Sequence, residues 1–208
     1  MHLRTFIRTH SNWQELLESA PYNLKIKWQD NYFICNYNML ASNFQCEEVC
    51  EARGSIFYRD ENGFIDYVCR PFTKFFNYQE ANAAEIDWSS AYVTEKIDGS
   101  LMKMWFHNGK WHLSTNGVID AFTAKVDCTG LTFGQLFEKA CGYSVEELGS
   151  HLFSDYTYCF ELTSQESRLV IDYGAPKLWF LTSFNTRYGI ESRYFPSKVE
   201  NIHFPQVY

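Results

Sequence analysis

The sequence consists largely of short segments in which apolar and polar residues alternate, and tight-turn sequences separate these segments. The clearest turn is Asn108-Gly109, a dipeptide typical of two-residue β-hairpins, and Glu61-Asn62-Gly63 lies between two further strand-like segments. The strand-like segments are 24–28, 32–37, 55–59, 64–69, 92–106, 110–114, 158–162, 169–173 and 178–184. Three short helices are predicted. The first opens with a capping box at Ser11-Asn12-Trp13-Gln14 and runs through about Glu18, the second covers 132–140 and would end at Gly142, and the third covers 145–152. We therefore predict an α+β fold with antiparallel sheets and few short helices, arranged as one domain.

Composition restricts the classes of function that the chain can serve. The 208 residues carry a formal net charge of −7, so any contact with nucleic acid must come from a local patch. Seven cysteines without short paired spacing favour buried, reduced thiols over a zinc site. No secretory leader or long uncharged apolar stretch is evident. We expect a cytoplasmic protein without a membrane contact.

The segment Glu95-Lys96-Ile97-Asp98-Gly99-Ser100 carries the strongest chemical signal. It lies between two apolar runs, so it places a lysine at the corner of predicted strands. A lysine amine can act as a nucleophile, and a glycine nearby lets a phosphate or a ribose approach the backbone closely. Taken alone, the segment favours an ordinary strand-to-turn corner with a solvated lysine and a turn aspartate. The decision between the two interpretations depends on the rest of the chain.

Further blocks accompany the lysine segment in a defined order. Before it come Arg53-Gly54 and the run Arg70-Pro71-Phe72-Thr73-Lys74-Phe75-Phe76-Asn77, and after it come Phe160-Glu161 and Glu166-Ser167-Arg168-Leu169-Val170. This order closely resembles that of the T-even phage RNA ligase 1 family, within the covalent nucleotidyltransferases. The family pattern runs Arg-Gly, Arg-Pro-x-x-Lys-Phe-Phe-Asn, Lys-x-Asp-Gly-Ser-Leu, and Phe-Glu followed by Asn-Arg-Ile-Val. The resemblance covers roughly residues 30–190 and implies the nucleotidyltransferase (ATP-grasp-like) ligase fold.

The resemblance also implies a role for each matching residue. Lys96 would attack the α-phosphorus of ATP to form lysyl-AMP and release pyrophosphate, with Mg²⁺ as the metal cofactor. Asp98 and Gly99 belong to the same motif, and Glu161 would contact the ribose or the metal-bound water. The other implied nucleotide-binding residues are Glu95, whose backbone would lie near the adenine, Arg53 and Lys74 near the phosphates, and Phe76, which would pack on the nucleotide. Singly, each also has an ordinary interpretation, as a core aromatic or a solvated charge.

The sequence departs from the family pattern in two places. Ser114 and Asn116 stand where the family carries lysines before a glycine. After Asn185 neither a Glu-Gly-x-Val motif (motif IV) nor a Lys-x-Lys motif (motif V) occurs, and the one Lys-x-Lys is Lys25-Ile26-Lys27. We therefore expect an adenylyltransferase domain over residues 1–208 that lacks motifs IV and V and the accessory C-terminal domain. Its fold would be incomplete at the C-terminus.

Three hypotheses fit these departures, and we favour a split viral RNA ligase in which a second chain supplies motifs IV and V. In this hypothesis the enzyme is an ATP-dependent RNA ligase of the host cytoplasm. Lys96 passes AMP to an RNA 5′-phosphate, and a 3′-hydroxyl then displaces AMP. Repair of broken RNA, for example tRNA, is the role that the resemblance implies. The two alternatives are a gene fragment and a catalytically inactive nucleotide- or RNA-binding regulatory protein of the same fold.

Overall fold

A computed structural model describes residues 2–126, 130–165 and 173–208 of the chain. The chain divides into two compact units, Met1–Ala91 and Tyr92–Tyr208. Each unit has its own sheet and its own apolar core. The prediction of one adenylyltransferase domain over residues 1–208 stays a prediction.

The first unit is a four-stranded antiparallel sheet covered by short helices. Its helices are α1 (His2–Thr9), α2 (Trp13–Glu18) and α3 (Glu47–Glu51), and its strands are β1 (Lys25–Gln29), β2 (Tyr32–Asn36), β3 (Arg53–Arg59) and β4 (Ile65–Cys69). The strands pair in chain order, β1-β2-β3-β4. Asp30 and Gly63 have positive φ in the two hairpin turns, and Gly63 belongs to the predicted turn Glu61-Asn62-Gly63. The core between sheet and helices includes Leu3, Ile7, Leu17, Phe33 and Phe57.

Two local predictions for the first unit were incomplete or wrong. Helix α1 was not predicted, although Leu3 and Ile7 are spaced by four residues and are both buried on the core side. Helix α2 is present, but its N-cap is Asn12, which makes no side-chain capping hydrogen bond. The capping box predicted to start at Ser11 is therefore wrong.

Helix α1 begins against a buried carboxylate from α3. The carboxylate of Glu51 accepts hydrogen bonds from the backbone N–H groups of His2 and Leu3, each at 3.1 Å, and from the hydroxyl of Tyr67 at 3.0 Å. Burial alone would raise the pKa of Glu51, but these hydrogen bonds lower it overall. Glu51 thus satisfies N–H groups that the first turn of a helix leaves without intrahelical partners. It ties α1 to the rest of the unit.

In its described residues, the second unit is a larger sheet with two short helices packed on one face. Its strands are β5 (Ser100–His107), β6 (Lys110–Thr115), β7 (Tyr156–Thr163), β8 (Lys177–Asn185), β9 (Glu191–Ser192) and β10 (Ile202–His203), and its helices are α4 (Phe133–Cys141) and α5 (Val145–Gly149). The strand order is β10-β8-β7-β5-β6, with β9 also paired to β8. The pairs are antiparallel except for the short parallel pair of β10 with β8. The α+β prediction with antiparallel sheets and few short helices is confirmed.

Turn and cap chemistry accounts for the local geometry of the second unit. Asn108 and Gly109 both have positive φ between β5 and β6, which is the geometry that a two-residue type I′ hairpin requires. Thr132 and Ser144 each form a complete capping box at the start of a helix, and Gly142 ends α4 in the left-handed conformation. The strand predicted for 92–106 begins only at Ser100.

The strand predicted for 169–173 lies almost entirely outside the described residues. Its last residue, Tyr173, is described and belongs to no strand. None of the helices in the described ranges has the length and apolar character needed to cross a bilayer.

The Glu51 carboxylate makes the stability of the first unit dependent on pH. Its folded-state pKa lies below the ordinary value of 4.5, so its contribution is complete above that value and is lost as the pH falls through the folded-state pKa. Asp66 acts in the same direction below its ordinary value of 3.8, because Arg4 and Arg8 lower its pKa despite its burial. We expect Glu51→Gln to cost about 1–3 kcal/mol of unfolding free energy at pH 7.

Urea unfolding at a series of pH values from about 7 to about 3 measures both effects. The loss of stability with acid should be smaller in Glu51→Gln than in the parent protein. Glu61→Gln is the matched control, because Glu61 is an exposed turn residue. An unchanged acid dependence in Glu51→Gln would contradict the role assigned to this carboxylate.

Candidate active site

The two faces of the second sheet carry different kinds of side chain. On β5, Met102 and Met104 point into the apolar core, and on β7 Phe160 and Leu162 do the same. Because side chains alternate along a strand, the residues between them lie on the opposite face. Glu161 of β7 is one of these, and it pairs directly with Leu101 of β5.

Glu161 holds the backbone that follows Lys96. Its Oε1 accepts a hydrogen bond from the N–H of Gly99 at 3.1 Å. Gly99 lies where β5 starts, and Ser100 pairs with Leu162 in the register of β5 and β7. A Cβ added to Gly99 would overlap the carbonyl oxygen of Leu162, so a side chain at this position would push the two strands apart. The glycine is needed because the backbones approach closely.

The lysine itself is exposed between anchored neighbours. Ile97 is buried, with 5% of its surface exposed. The N–H of Asp98 donates to the hydroxyl of Tyr173 at 3.1 Å. Lys96 lies on the solvent side of this anchored turn. The turn therefore presents one amine to solvent and fixes the main chain on both sides of it.

The residues before Lys96 pair with a segment near the end of the chain. Thr94 forms an antiparallel bridge with Val207, the N–H of Glu95 donates to the carbonyl of Gln206 at 2.8 Å, and the N–H of Tyr208 donates to the carbonyl of Val93 at 2.9 Å. The Glu95 backbone was predicted to lie near an adenine, and its N–H is engaged within the protein. No periodic run in the sequence pointed to this pairing.

The first unit brings the other predicted residues into a cluster of cations and aromatic rings. The guanidinium carbon of Arg53 lies 4.3 Å from the ring centroid of Phe75 and 5.7 Å from that of Phe72. Nη1 of Arg53 is buried and has no hydrogen-bond partner among the residues that the structure describes. A buried guanidinium donor without a protein acceptor is costly, and a phosphate oxygen would satisfy it.

Lys74 and Phe76 lie together in the same cluster. Nζ of Lys74 lies 4.9 Å from the ring centroid of Phe76 and donates to the carbonyl of Phe75 at 3.0 Å. The N–H of Lys74 donates to the carbonyl of Cys50 at 2.7 Å, which fixes the loop on the end of α3. The ring of Phe76 packs edge-on against Phe44, with centroids 6.1 Å apart. The loop thus holds an ammonium group next to an aromatic ring.

The side chains that could bind a metal ion can be compared with the ligands that Mg²⁺ requires. Within the described ranges no group of three or more His, Cys, Asp or Glu side chains could hold a metal ion. Mg²⁺ commonly binds through one or two carboxylates together with phosphate oxygens and water, and does not need an all-protein cage. Glu161 offers a carboxylate of this kind. The residues present therefore fit a metal that arrives with a phosphate ligand.

The structure assembles the predicted residues within each unit. The second unit brings the Gly99 backbone to Glu161 near Lys96, and the first unit places Arg53 over Phe75 and Lys74 beside Phe76. The block predicted at 166–170 lies outside the described residues.

Sequence reasoning missed Tyr173 and Lys103. Tyr173 anchors Asp98, and Lys103 is fully buried on the face that carries Glu161. A lysine inside an apolar strand was a visible signal for Lys103. A contact between residues 75 positions apart left no local signal for Tyr173.

Comparison with known proteins places these residues in a recognised context. A family model described as RNA ligase, of the T4 RNA ligase 1 type, matches residues 51–202. The chain is also 30% identical over 215 aligned residues to a protein of Autographa californica nuclear polyhedrosis virus, provisionally named a bifunctional polynucleotide kinase/RNA ligase. The alignment covers 94% of this chain but 30% of the viral relative, so the chain spans less than a third of that protein.

Substitution of Gly99 tests how the lysine turn is held. In Gly99→Ala the added methyl group would meet the Leu162 carbonyl, and we expect a cost of about 1–3 kcal/mol in unfolding free energy from the strand displacement. Gly117→Ala is the matched control, because a Cβ at Gly117 meets nothing within 4 Å. Urea unfolding of both variants measures the difference, and equal stabilities would show that the close approach at Gly99 does not constrain the turn.

Proposed function

The chain belongs to the T4 RNA ligase 1 family of RNA ligases, and on this premise we propose that it carries the nucleophile-bearing part of an ATP-dependent ligase. The observation that carries the proposal is the hydrogen bond between Gly99 and Glu161, which fixes the main chain beside the exposed Lys96. The order of blocks in the sequence supports the same assignment.

The proposed first step is a covalent transfer of AMP to the protein. Nζ of Lys96 attacks the α-phosphorus of ATP, a nitrogen–phosphorus bond forms, and the bond from that phosphorus to the bridging oxygen breaks. Pyrophosphate leaves with the bonding electrons, and the amine releases its proton to solvent. An oxygen of an RNA 5′-phosphate then attacks the phosphorus of the bound AMP, and the nitrogen–phosphorus bond to Lys96 breaks, which frees the lysine amine. An RNA 3′-hydroxyl finally attacks the phosphorus of the 5′-phosphate, loses its proton to solvent and displaces AMP.

The residues around Lys96 contribute mainly by positioning the reacting groups. Phosphoryl-type transfer depends on alignment of the nucleophile and on neutralisation of charge. The contacts of Gly99 with Glu161 and of Asp98 with Tyr173 hold the main chain on the C-terminal side of the nucleophile. In the proposal, this fixed main chain keeps the amine in line with the α-phosphorus.

The cations of the first unit supply phosphate-binding groups in this proposal. The buried, unsatisfied Nη1 of Arg53 supports the assignment, because a phosphate oxygen is a fitting acceptor for it. The ammonium of Lys74 adds a second positive charge beside an aromatic ring that could pack on a nucleotide. These cations give the first unit local positive charge, although the net charge of the chain is −7.

Mg²⁺ belongs to the proposal as a cofactor that arrives with ATP. Glu161 would hold it from the protein side. When bound, the ion would offset the negative charge of the phosphate groups.

Motifs IV and V do not occur after Asn185 in the 208 residues. We propose that a second chain supplies them and so completes the grip on the α-phosphate. The substrate would be RNA with 5′-phosphate and 3′-hydroxyl ends. A relative named for both kinase and ligase activities supports work on RNA ends, because a polynucleotide kinase produces 5′-phosphates.

Intact-mass spectrometry after incubation with ATP and Mg²⁺, with and without RNA ends, tests the first step. We expect a gain of one AMP in the parent protein and none in Lys96→Ala. Lys96→Arg should also fail, because a guanidinium keeps the charge but is not a nucleophile at neutral pH. Lys110→Ala is the control, because Lys110 is an exposed lysine at the start of β6.

An adduct that persists in Lys96→Arg would refute the nucleophile assignment. Adduct formation by the 208-residue chain alone, at a rate that a second chain with motifs IV and V does not increase, would refute the need for a second chain in this step. Retained ATP binding without any adduct would favour the alternative, a nucleotide-binding regulatory protein.

A second test concerns the phosphate contact of Arg53. Loss of a hydrogen bond between a guanidinium and a charged group costs about 1.5–3 kcal/mol, so Arg53→Met should raise the ATP concentration for half-maximal adduct formation about 10- to 100-fold. Arg59→Met is the control, because Arg59 lies on the same strand and is exposed. An ATP titration of adduct formation distinguishes the two variants, and equal half-maximal concentrations would remove Arg53 from the phosphate site.

A further inference from the structure

Lys103 is fully buried in the sheet of the second unit, with 0% of its surface exposed. It lies on β5 between Met102 and Met104, which point into the apolar core. Because side chains alternate along a strand, Lys103 lies on the other face of the sheet. Burial of an ammonium group is costly unless neighbouring groups compensate its charge. A lysine at such a position therefore requires a compensating group nearby.

The strand register places this lysine next to Glu161. Lys103 pairs with Cys159 of β7, and Glu161 is the next residue of β7 on the same face. Lys103 and Glu161 are therefore diagonal neighbours, a separation that long side chains can span. Within the described strands β5 to β8, Glu161 is the only acidic residue. Opposite charges interact strongly where water is excluded, even without a direct hydrogen bond.

We propose that Lys103 is a positioning residue for Glu161. The buried ammonium stabilises the carboxylate in its charged form and in the orientation that accepts the Gly99 N–H. Through Glu161, Lys103 also positions the turn that presents Lys96. Only this effect on the reaction of Lys96 rests on the proposed ligase function.

Ser114 is a second position at which this proposal can be tested independently. It lies directly opposite Lys103 on β6, it is fully buried, and its Oγ accepts a hydrogen bond from Nε1 of Trp105 at 3.2 Å. Ser114 is also one of the positions where the sequence departs from the family pattern by lacking a lysine. A lysine at either member of this pair places a positive charge on the same part of the face. Exchange of the two residues should therefore preserve the charge near Glu161.

The first experiment measures the coupling by urea unfolding and needs no enzymatic activity. Lys103→Met and Glu161→Gln should each lower the unfolding midpoint, and the double variant should lose clearly less than the sum of the two losses. The matched control is Lys110→Met combined with Glu161→Gln, which should be additive because Lys110 is exposed. Additive losses for Lys103 and Glu161 would overturn the proposal.

The exchange variant keeps the proposal testable if Lys103→Met does not fold. Lys103→Ser should be destabilised, and Lys103→Ser combined with Ser114→Lys should recover most of the lost stability. The coupling between Lys103 and Glu161 would be overturned if this combination recovers no stability and the losses of the single variants that fold are additive.

The second experiment measures the rate of AMP-adduct formation at saturating ATP. Lys103→Met should lower this rate about tenfold or more through misplacement of the turn, with little change in the half-maximal ATP concentration. Adding Glu161→Gln should cause little further loss, and the exchange variant should recover the rate. An undiminished rate in Lys103→Met, in a parent protein that forms the adduct, would overturn the proposal and leave the ligase function intact. Non-additive unfolding with no adduct in the parent protein, even with RNA ends present, would refute the ligase function and support the pairing.

Discussion

The hydrogen bond between the Gly99 N–H and the Glu161 carboxylate is the constraint on which the lysine segment depends. It joins the start of one central strand to the C-terminal part of its antiparallel neighbour, and it forms because Gly99 has no side chain to separate the two backbones. The residues around Lys96 are thereby held by a rigid sheet, although Lys96 itself is exposed. A nucleophile on a fixed main chain loses little conformational freedom when it meets its substrate.

Charge is distributed unevenly in a chain that is acidic overall. Two cationic side chains of the first unit lie against aromatic rings: Arg53 lies over Phe75, and Lys74 lies beside Phe76. Lys103 is an extreme case, because its whole side chain is buried on a sheet face that also carries a carboxylate. In such surroundings each charge interacts more strongly with its neighbours than it would in water. Positive charge can therefore be strong locally within a protein of net charge −7.

Local sequence predicted the local structure well wherever a side chain acts on its own backbone. Asn108-Gly109 forms the expected hairpin turn, and Gly142 ends α4 as predicted. Prediction failed where competing local signals existed. At Ser11 the capping pattern was present, but the helix starts one residue later with Asn12 as an unbonded cap. The strand predicted from residue 92 begins only at Ser100, and residues 93–95 pair instead with residues 206–208.

The sequence by itself determined the family, the α+β class and the identity of Lys96 as the candidate nucleophile, because these depend on motif order and on short-range periodicity. Only the tertiary structure decided that Gly99 meets Glu161, that Tyr173 anchors Asp98, and that Lys103 is buried beside a carboxylate. These contacts join residues that are distant in the chain, and they depend on strand register. A shift of one residue in a strand would turn Lys103 or Glu161 to the other face. The packing of the whole sheet therefore determines the face on which each side chain lies.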